Sequence, residues 1–389
     1  MNTLLISRFS LRDRHVWSGT ANKMYEALGS VFKETHLCDS LGYPHGPLIG
    51  LENRVLAKLG RNSYWRMAGA RYHARQIDKR LQIISPNWDV AIVIDSLLPA
   101  GAVKLSKPLI YISDCTKTQL VELGYPGYAG MSKANLRSMV AFERAAYQNC
   151  DLLVFGSEWA CDSAVNQYGV PRGKVRAIPY GANLDHVPER HSALEDRRGA
   201  DGICRLLFLG VQWKRKGGDT AVAVADILNA QGFPTELTVC GSVPPHETPH
   251  VRVIPFLDKH KAEDRQRLND LLAQASYLIV PTQGDCSPIV FCEAFAYGLP
   301  VVTCNVGGVP EIVTQGLNGF VLEPGASEEA FAALIAGNYR DQGAYLAFRR
   351  AARDAYERTF NWQQWATSIH ELSCDLVASS GASRGGPSA

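Results

Sequence analysis

The 389-residue sequence predicts an α/β protein built from two doubly wound parallel-sheet domains that face each other across a cleft. Three observations lead there. A single hydrophobic core stops growing at roughly 250–300 residues, so a chain of this length is expected to divide. Short, nearly continuous apolar runs alternate with longer helical stretches, as parallel strands covered on both faces do. The alternation then restarts after a charged, turn-rich interval that contains no apolar run.

In the first half the candidate strands are TLLISRF, WDVAIVID, PLIYISD and DLLVFGS. In the second half they are CRLLFLG, TELTVCG, VRVIPF, SYLIVPT, PVVTCN and GFVLE. Helical segments such as DTAVAVADILNAQ and AEDRQRLNDLLAQA fall between them. The N-terminal apolar run is too short for the core of a secretory signal and reads as the first strand. The interval at 181–202 is the expected linker. Domains are accordingly expected at 1–185 and 186–360, followed by a helix at 361–378 and a small-residue, polar, disordered tail at 379–389.

A composition of 46% hydrophobic and 20% charged residues is that of an ordinary globular protein. A formal net charge of +2 argues against a nucleic-acid partner. The ten cysteines include no C-x2-C pair, and several lie in apolar runs, so small buried hydrophobes in a reducing, cytoplasmic compartment are expected rather than disulfides or zinc ligands. No stretch of about 18 apolar residues is present to span a membrane.

The residues with the most chemistry lie at 281–325, PTQGDCSPIVFCEAFAYGLPVVTCNVGGVPEIVTQGLNGFVLEPG. A strand runs into a turn made of Gly284, Asp285, Cys286, Ser287 and Pro288, which opens a helix. Free amides and the helix dipole there suit an anion or sugar hydroxyls. Asp285 and Glu293 are eight residues apart, and paired carboxylates suit a polyhydroxylated ligand. Two readings of the pair stand: ligand contacts, or an N-cap and an exposed helical glutamate. The apolar context VFCEAFAYG requires a partner for Glu293 if it is buried. A second segment, LLFLGVQWKRKGGDTAVAVADIL, sets Lys214, Arg215 and Lys216 beside Gly217 and Gly218 at a helix start. Cations and free amides together suit a diphosphate, and the alternative is a solvated basic turn. The third segment, SRFSLRDRHVWSGTANKMYEAL, ends its loop on Ser18, Gly19 and Thr20 before a helix; plain capping is the alternative there. It lacks the G-x-G-x-x-G dinucleotide fingerprint.

These segments resemble the family-four retaining glycosyltransferases, whose GT-B architecture pairs two Rossmann-like domains. The 285–293 segment resembles that family's E-x7-E region, written here as Asp-x7-Glu. The resemblance implies that Glu293 binds the donor ribose and that Asp285 contacts the donor sugar. It also implies that Lys216 binds and stabilises the leaving diphosphate. The family's arginine position is Val211 here, and Arg215 is the residue available to supply the guanidinium. Gly284, Cys286 and Ser287 fall in the donor turn, and Gly307 and Gly308 allow backbone amides to approach. Phe256 and Leu257, after VRVIPF, fall where the family holds the nucleotide base, although plain packing suits them equally. Ser18, Gly19 and Thr20 fall in the glycine loop that faces diphosphate and acceptor. Asp114, closing PLIYISD, falls beside the reacting sugar, unless it only caps a turn.

The implied activity is transfer of a hexose-type sugar from a nucleoside-diphosphate sugar to an acceptor hydroxyl, with retention, in polysaccharide or glycolipid biosynthesis. The sequence contains no D-x-D triad, so neither a metal nor a cofactor is expected; the nucleotide sugar is a substrate. A glycan or lipid-linked acceptor is expected on the N-terminal domain. Residues 51–80 hold eight Lys/Arg against two acidic residues, with Tyr64, Trp65 and Tyr72 interleaved. That stretch fits either an anionic membrane surface, on the inner face of the membrane, or a solvated helical face. Competing readings are a catalytically silent scaffold of the same fold, or another GT-B enzyme such as a nucleotide-sugar epimerase or a phosphorylase.

Overall fold

The computed structural model describes residues 1–41, 55, 67–95, 97–125, 128, 131–196, 198, 201–246 and 248–384. The chain divides into two units, Met1–Pro179 with Trp365–Ala389, and Tyr180–Gln364. The division falls at Pro179/Tyr180, where 185/186 was expected.

The first unit holds β1 (Asn2–Ile6), β2 (Glu34–Cys38), β3 (Val90–Ile94), β4 (Leu109–Ser113), β5 (Leu152–Phe155) and β6 (Val175–Ala177). All pair in parallel, in the order β2-β1-β3-β4-β5-β6. β1, β3, β4 and β5 are buried along their whole length, which is why they read as unbroken apolar runs. The two edge strands, ETHLC and VRA, were not foreseen. An edge strand has one neighbour and partial solvent contact, so neither carries an apolar run to announce it.

The second unit holds β7 (Cys204–Leu209), β8 (Thr235–Cys240), β9 (Val251–Ile254), β10 (Tyr277–Val280), β11 (Val301–Cys304) and β12 (Gly319–Leu322). Its parallel order is β12-β11-β10-β7-β8-β9. Counted within the unit and read from β9, this is the 3-2-1-4-5-6 arrangement, whose direction of winding reverses between β7 and β10. Alternate residues feed two cores. Leu207, Leu209, Leu278 and Val280 pack with Phe291 and Phe295, while Leu206, Phe208, Tyr277 and Ile279 pack with Val224 and Leu228. Both faces are therefore dry, as the sequence pattern requires.

The interval expected to be a linker belongs to this second unit. It includes the short helix Arg190–Ala193, whose Ala193 carbonyl accepts from the buried Arg349 guanidinium. At the other end, one helix runs Trp362–Arg384 and from Trp365 onward groups with the first unit. In that unit Phe32 meets His370 edge-on at 5.0 Å between ring centroids. Residues 379–384, expected as tail, extend this helix; small serines and alanines do not break it, and 385–389 lie outside the described residues.

Of the basic stretch, residues 51–54 and 56–66, including Tyr64 and Trp65, lie outside the described residues. Its described part is largely the helix Met67–Leu81, which buries Ala70, His73 and Ile77 and exposes Arg71, Arg75 and Lys79. Among the described residues, no helix is long and apolar enough to cross a membrane. His73 is fully buried and neither ring nitrogen has a hydrogen-bond partner among the described residues. Burial, and then the Arg8 charge, push its pKa down to about 4. The folded state thus disfavours protonation that an unfolded histidine accepts near pH 6.5. Stability should be whole above that pH and fall by up to about 3 kcal/mol as pH drops toward 4. Urea titrations at pH 7 and pH 4.5 measure the loss, and a His73→Leu variant should show a smaller one.

Candidate functional site

In open α/β sheets, ligands bind beyond the carboxyl ends of the strands, where the winding reverses. In the second unit that place lies between β7 and β10. The turn after β7 contains Arg215 and Lys216, and the turn after β10 contains Gly284, Asp285, Cys286 and Ser287. Fold topology therefore brings together two segments that the sequence separates by 69 positions.

The two turns are laced to each other. The Gln283 amide donates to the Arg215 carbonyl at 2.7 Å, and the Thr282 hydroxyl donates to the same carbonyl at 3.2 Å. Arg215 donates from its guanidinium to the Gly284 carbonyl and to Gln212 Oε1. Gly217 permits the approach: its φ is +77°, and a Cβ there would lie 2.1 Å from the Pro281 carbonyl oxygen. Arg215 and Lys216 are consequently packed against the acidic turn, while Lys214 stays exposed to solvent.

Asp285 is only 6% exposed and receives both cations. Lys216 Nζ donates to Oδ2, and the Arg215 guanidinium stands 3.7 Å from Oδ1. The next helix, Ile289–Ala296, is entered through Pro288 with no side-chain cap, so Asp285 is not an N-cap. Two cations and one carboxylate leave a net positive charge at this partly buried point, which suits a phosphate-bearing ligand. Cys286 is fully buried, and the Ser287 hydroxyl is enclosed with no hydrogen-bond partner among the described residues. Val211, in the position where the family resemblance expects arginine, is 62% exposed.

Glu293 projects from the middle of that helix and is 3% exposed. Its Oε1 accepts from Lys259 Nζ at 2.7 Å. The partner that burial demanded is thus Lys259, which sequence reasoning missed. The only signal was its position in FLDKH, just beyond β9, close to residues already singled out. Of those, Leu257 is half-buried and packs against the core, whereas Phe256 is 60% exposed. Packing accounts for Leu257 and not for Phe256.

In the first unit the winding reverses between β1 and β3. The loop after β1 ends on three consecutive left-handed residues, Trp17, Ser18 and Gly19, with φ of 52°, 55° and 89°. Two of these are not glycine and cost of order 1 kcal/mol each. Thr20 then opens the helix Thr20–Val31, whose N-cap is the left-handed Gly19. After β3 comes Asp95, also left-handed at φ 40°. After β4 comes Asp114, half-buried. Burial, and then the Asp95 charge, push the Asp114 carboxyl up to about 6. Asp114 caps no helix: Thr116 does so for Lys117–Glu122, with Gln119 completing a capping box.

Behind this edge lies a buried carboxylate the sequence did not reveal. Glu143 accepts from the Lys117 amide at 3.0 and 3.1 Å, from Tyr147 Oη at 2.7 Å and from Tyr168 Oη. The Lys117 ammonium stands 3.8 Å from Asp95. Burial works against that ammonium, but Tyr128, Asp95, Tyr111 and Glu143 outweigh it and raise its pKa.

Residues 204–341, which contain Arg215, Lys216, Lys259, Asp285 and Glu293, match the family model described as Glycosyl transferases group 1. The match falls wholly within the second unit. A D-inositol 3-phosphate glycosyltransferase of Xylanimonas cellulosilytica is 28% identical over 240 residues, covering 57% of this chain and 56% of its own. The chain therefore spans just over half the length of this curated relative. Among solved structures, sucrose-phosphate synthase from Thermosynechococcus elongatus superimposes with a TM-score of 0.67 at 17% identity, covering 97% of this chain and 99% of the other. HepE of Anabaena, solved in complex with UDP, gives 0.63 at 17% identity, covering 97% and 100%. At such identities the likeness speaks for the fold. Two parallel six-stranded α/β units with glycosyltransferase neighbours agree with the GT-B class expected from sequence.

Proposed function

We propose that this protein is a group 1 glycosyltransferase that transfers a hexose-type sugar from a nucleoside-diphosphate sugar to an acceptor hydroxyl, retaining the anomeric configuration and using no metal. The observation that supports the reading best is the partly buried Arg215–Lys216–Asp285 cluster at the switch point, with the buried Glu293 in the same family-matched segment. The UDP bound to HepE, a structural neighbour, belongs to a ligand class with the diphosphate these cations suit.

In this reading Glu293 accepts hydrogen bonds from the donor ribose, and Lys216 and Arg215 take the diphosphate. As the glycosidic bond breaks, negative charge grows on the leaving diphosphate. Fixed cations in a partly dry site stabilise that charge more than water would. The acceptor attacks from the face the leaving group departs, and the departing phosphate takes its proton. Asp285 holds the two cations and contacts the donor sugar. Asp114 serves the acceptor side on the first unit. A glycan or lipid-linked acceptor, and work at the inner face of a membrane, complete the proposal.

Donor hydrolysis tests this without knowledge of the acceptor, because water can replace it. UDP-, GDP- and ADP-hexoses are incubated with the protein in EDTA, and the anomeric proton of the first-formed sugar is followed by NMR. An α-configured donor should release α-sugar in EDTA. Inverted sugar, or dependence on added metal, would contradict the mechanism. Absence of nucleotide release from every donor, even with added glycan acceptors, would favour the silent-scaffold reading.

A further inference from the structure

Glu293 lies in an apolar helix, and among the described residues Lys259 is its only side-chain hydrogen-bond partner. The bond engages one lone pair of Oε1, leaving the other and both of Oε2. The lysine is not a loose surface group. It stands on a turn after β9 that is braced from several directions. Arg265 donates to the Lys259 carbonyl at 2.8 Å and pairs with Asp185 at 3.0 Å. Asp264 accepts from the Asp258 amide at 2.9 Å, and Asp258 accepts from the His260 amide at 2.9 Å. The Lys261 amide closes the turn onto the Asp258 carbonyl at 2.9 Å. A cation set on so constrained a backbone holds its partner in one orientation at little entropic cost.

Resting on the donor-site reading above, we propose that Lys259 is a positioning residue for ribose recognition. It pairs with the buried Glu293 carboxylate and holds it turned so that Oε2 and the free lone pair of Oε1 accept from the vicinal 2′- and 3′-hydroxyls. A carboxylate buried without a charged donor is costly, and without one nothing fixes which way its free lone pairs point. Without Lys259 the site should still hold base and diphosphate but distinguish ribose from deoxyribose far less.

The test compares dissociation constants of the full-length protein for UDP, GDP and ADP with those for their 2′-deoxy counterparts, by titration calorimetry. Wild type should prefer the ribonucleotide of one base class. In Lys259→Met that preference should fall by at least about fivefold, with little change for the deoxy ligand, and Lys259→Arg should recover most of it. Lys259→Gln supplies the same comparison if the methionine variant does not fold. An unchanged preference in the methionine or glutamine variant, or tighter ribonucleotide binding there, overturns the inference. Wild type that binds a nucleoside diphosphate without regard to the 2′-hydroxyl also overturns it, while leaving the donor site standing. Wild type that binds none of the ligands removes the donor-site reading itself, and this inference with it.

Discussion

Replacing Lys216 with alanine is expected to lower the rate of sugar transfer or donor hydrolysis by about two to three orders of magnitude. The ammonium lies at the switch point, 12% exposed, on a turn locked to the loop after β10. Its positive charge is in place before the leaving diphosphate develops its own, so little reorganisation accompanies reaction. Stability should change much less. Asp285 keeps the Arg215 guanidinium 3.7 Å away, so the carboxylate is not left without a cation. Steady-state kinetics and urea unfolding on the same preparation separate the two effects. A Lys216→Arg variant keeps the charge but changes reach and shape, and should fall between. Equal losses of stability and rate in Lys216→Ala would mean that the lysine serves folding and not chemistry.

The second large effect is expected in the first unit. Glu143→Ala should destabilise the first unit by about 3–5 kcal/mol. The side chain is fully buried, and its removal strands the Lys117 amide and the Tyr147 hydroxyl in a dry interior and leaves Tyr168 Oη with Thr118 alone. It also removes a counter-charge of the Lys117 ammonium. Glu143→Gln retains one acceptor oxygen and should cost less than half as much. Chemical denaturation followed by circular dichroism measures both. A loss below about 1 kcal/mol for the alanine variant would mean that water replaces the carboxylate and that the segment bearing Asp114 and Lys117 is held by other contacts.

How far the sequence foretold these features depends on the range of the interaction. The central strands were legible because burial on both faces leaves an unbroken apolar run, as in Val90–Ile94 and Tyr277–Val280. Glu34–Cys38 and Val175–Ala177 were not, because edge strands are short and partly wet. Lys216, Asp285 and Glu293 were each recognisable from local context. Their geometry was not: Lys216 meets Asp285 across 69 positions, and Lys259 reaches Glu293 across 34. Such pairs depend on strand order, which local patterns do not encode. Nothing in VAFERAAYQN distinguishes the buried Glu143 from an exposed helical glutamate; only the two tyrosines and the amide packed around it do.

The central claim is that the switch point of the second unit binds the nucleotide of a sugar donor. A thermal-shift panel of UDP, GDP, ADP and CDP with their common sugars, on wild type and Glu293→Ala, tests it most directly. A ligand at ~100 times its dissociation constant adds about 2.7 kcal/mol of stability, a readily measured shift. The account predicts a shift for one nucleotide class in wild type, in EDTA, that is lost in Glu293→Ala. No shift with any nucleotide, or a shift that survives intact in Glu293→Ala, would contradict it.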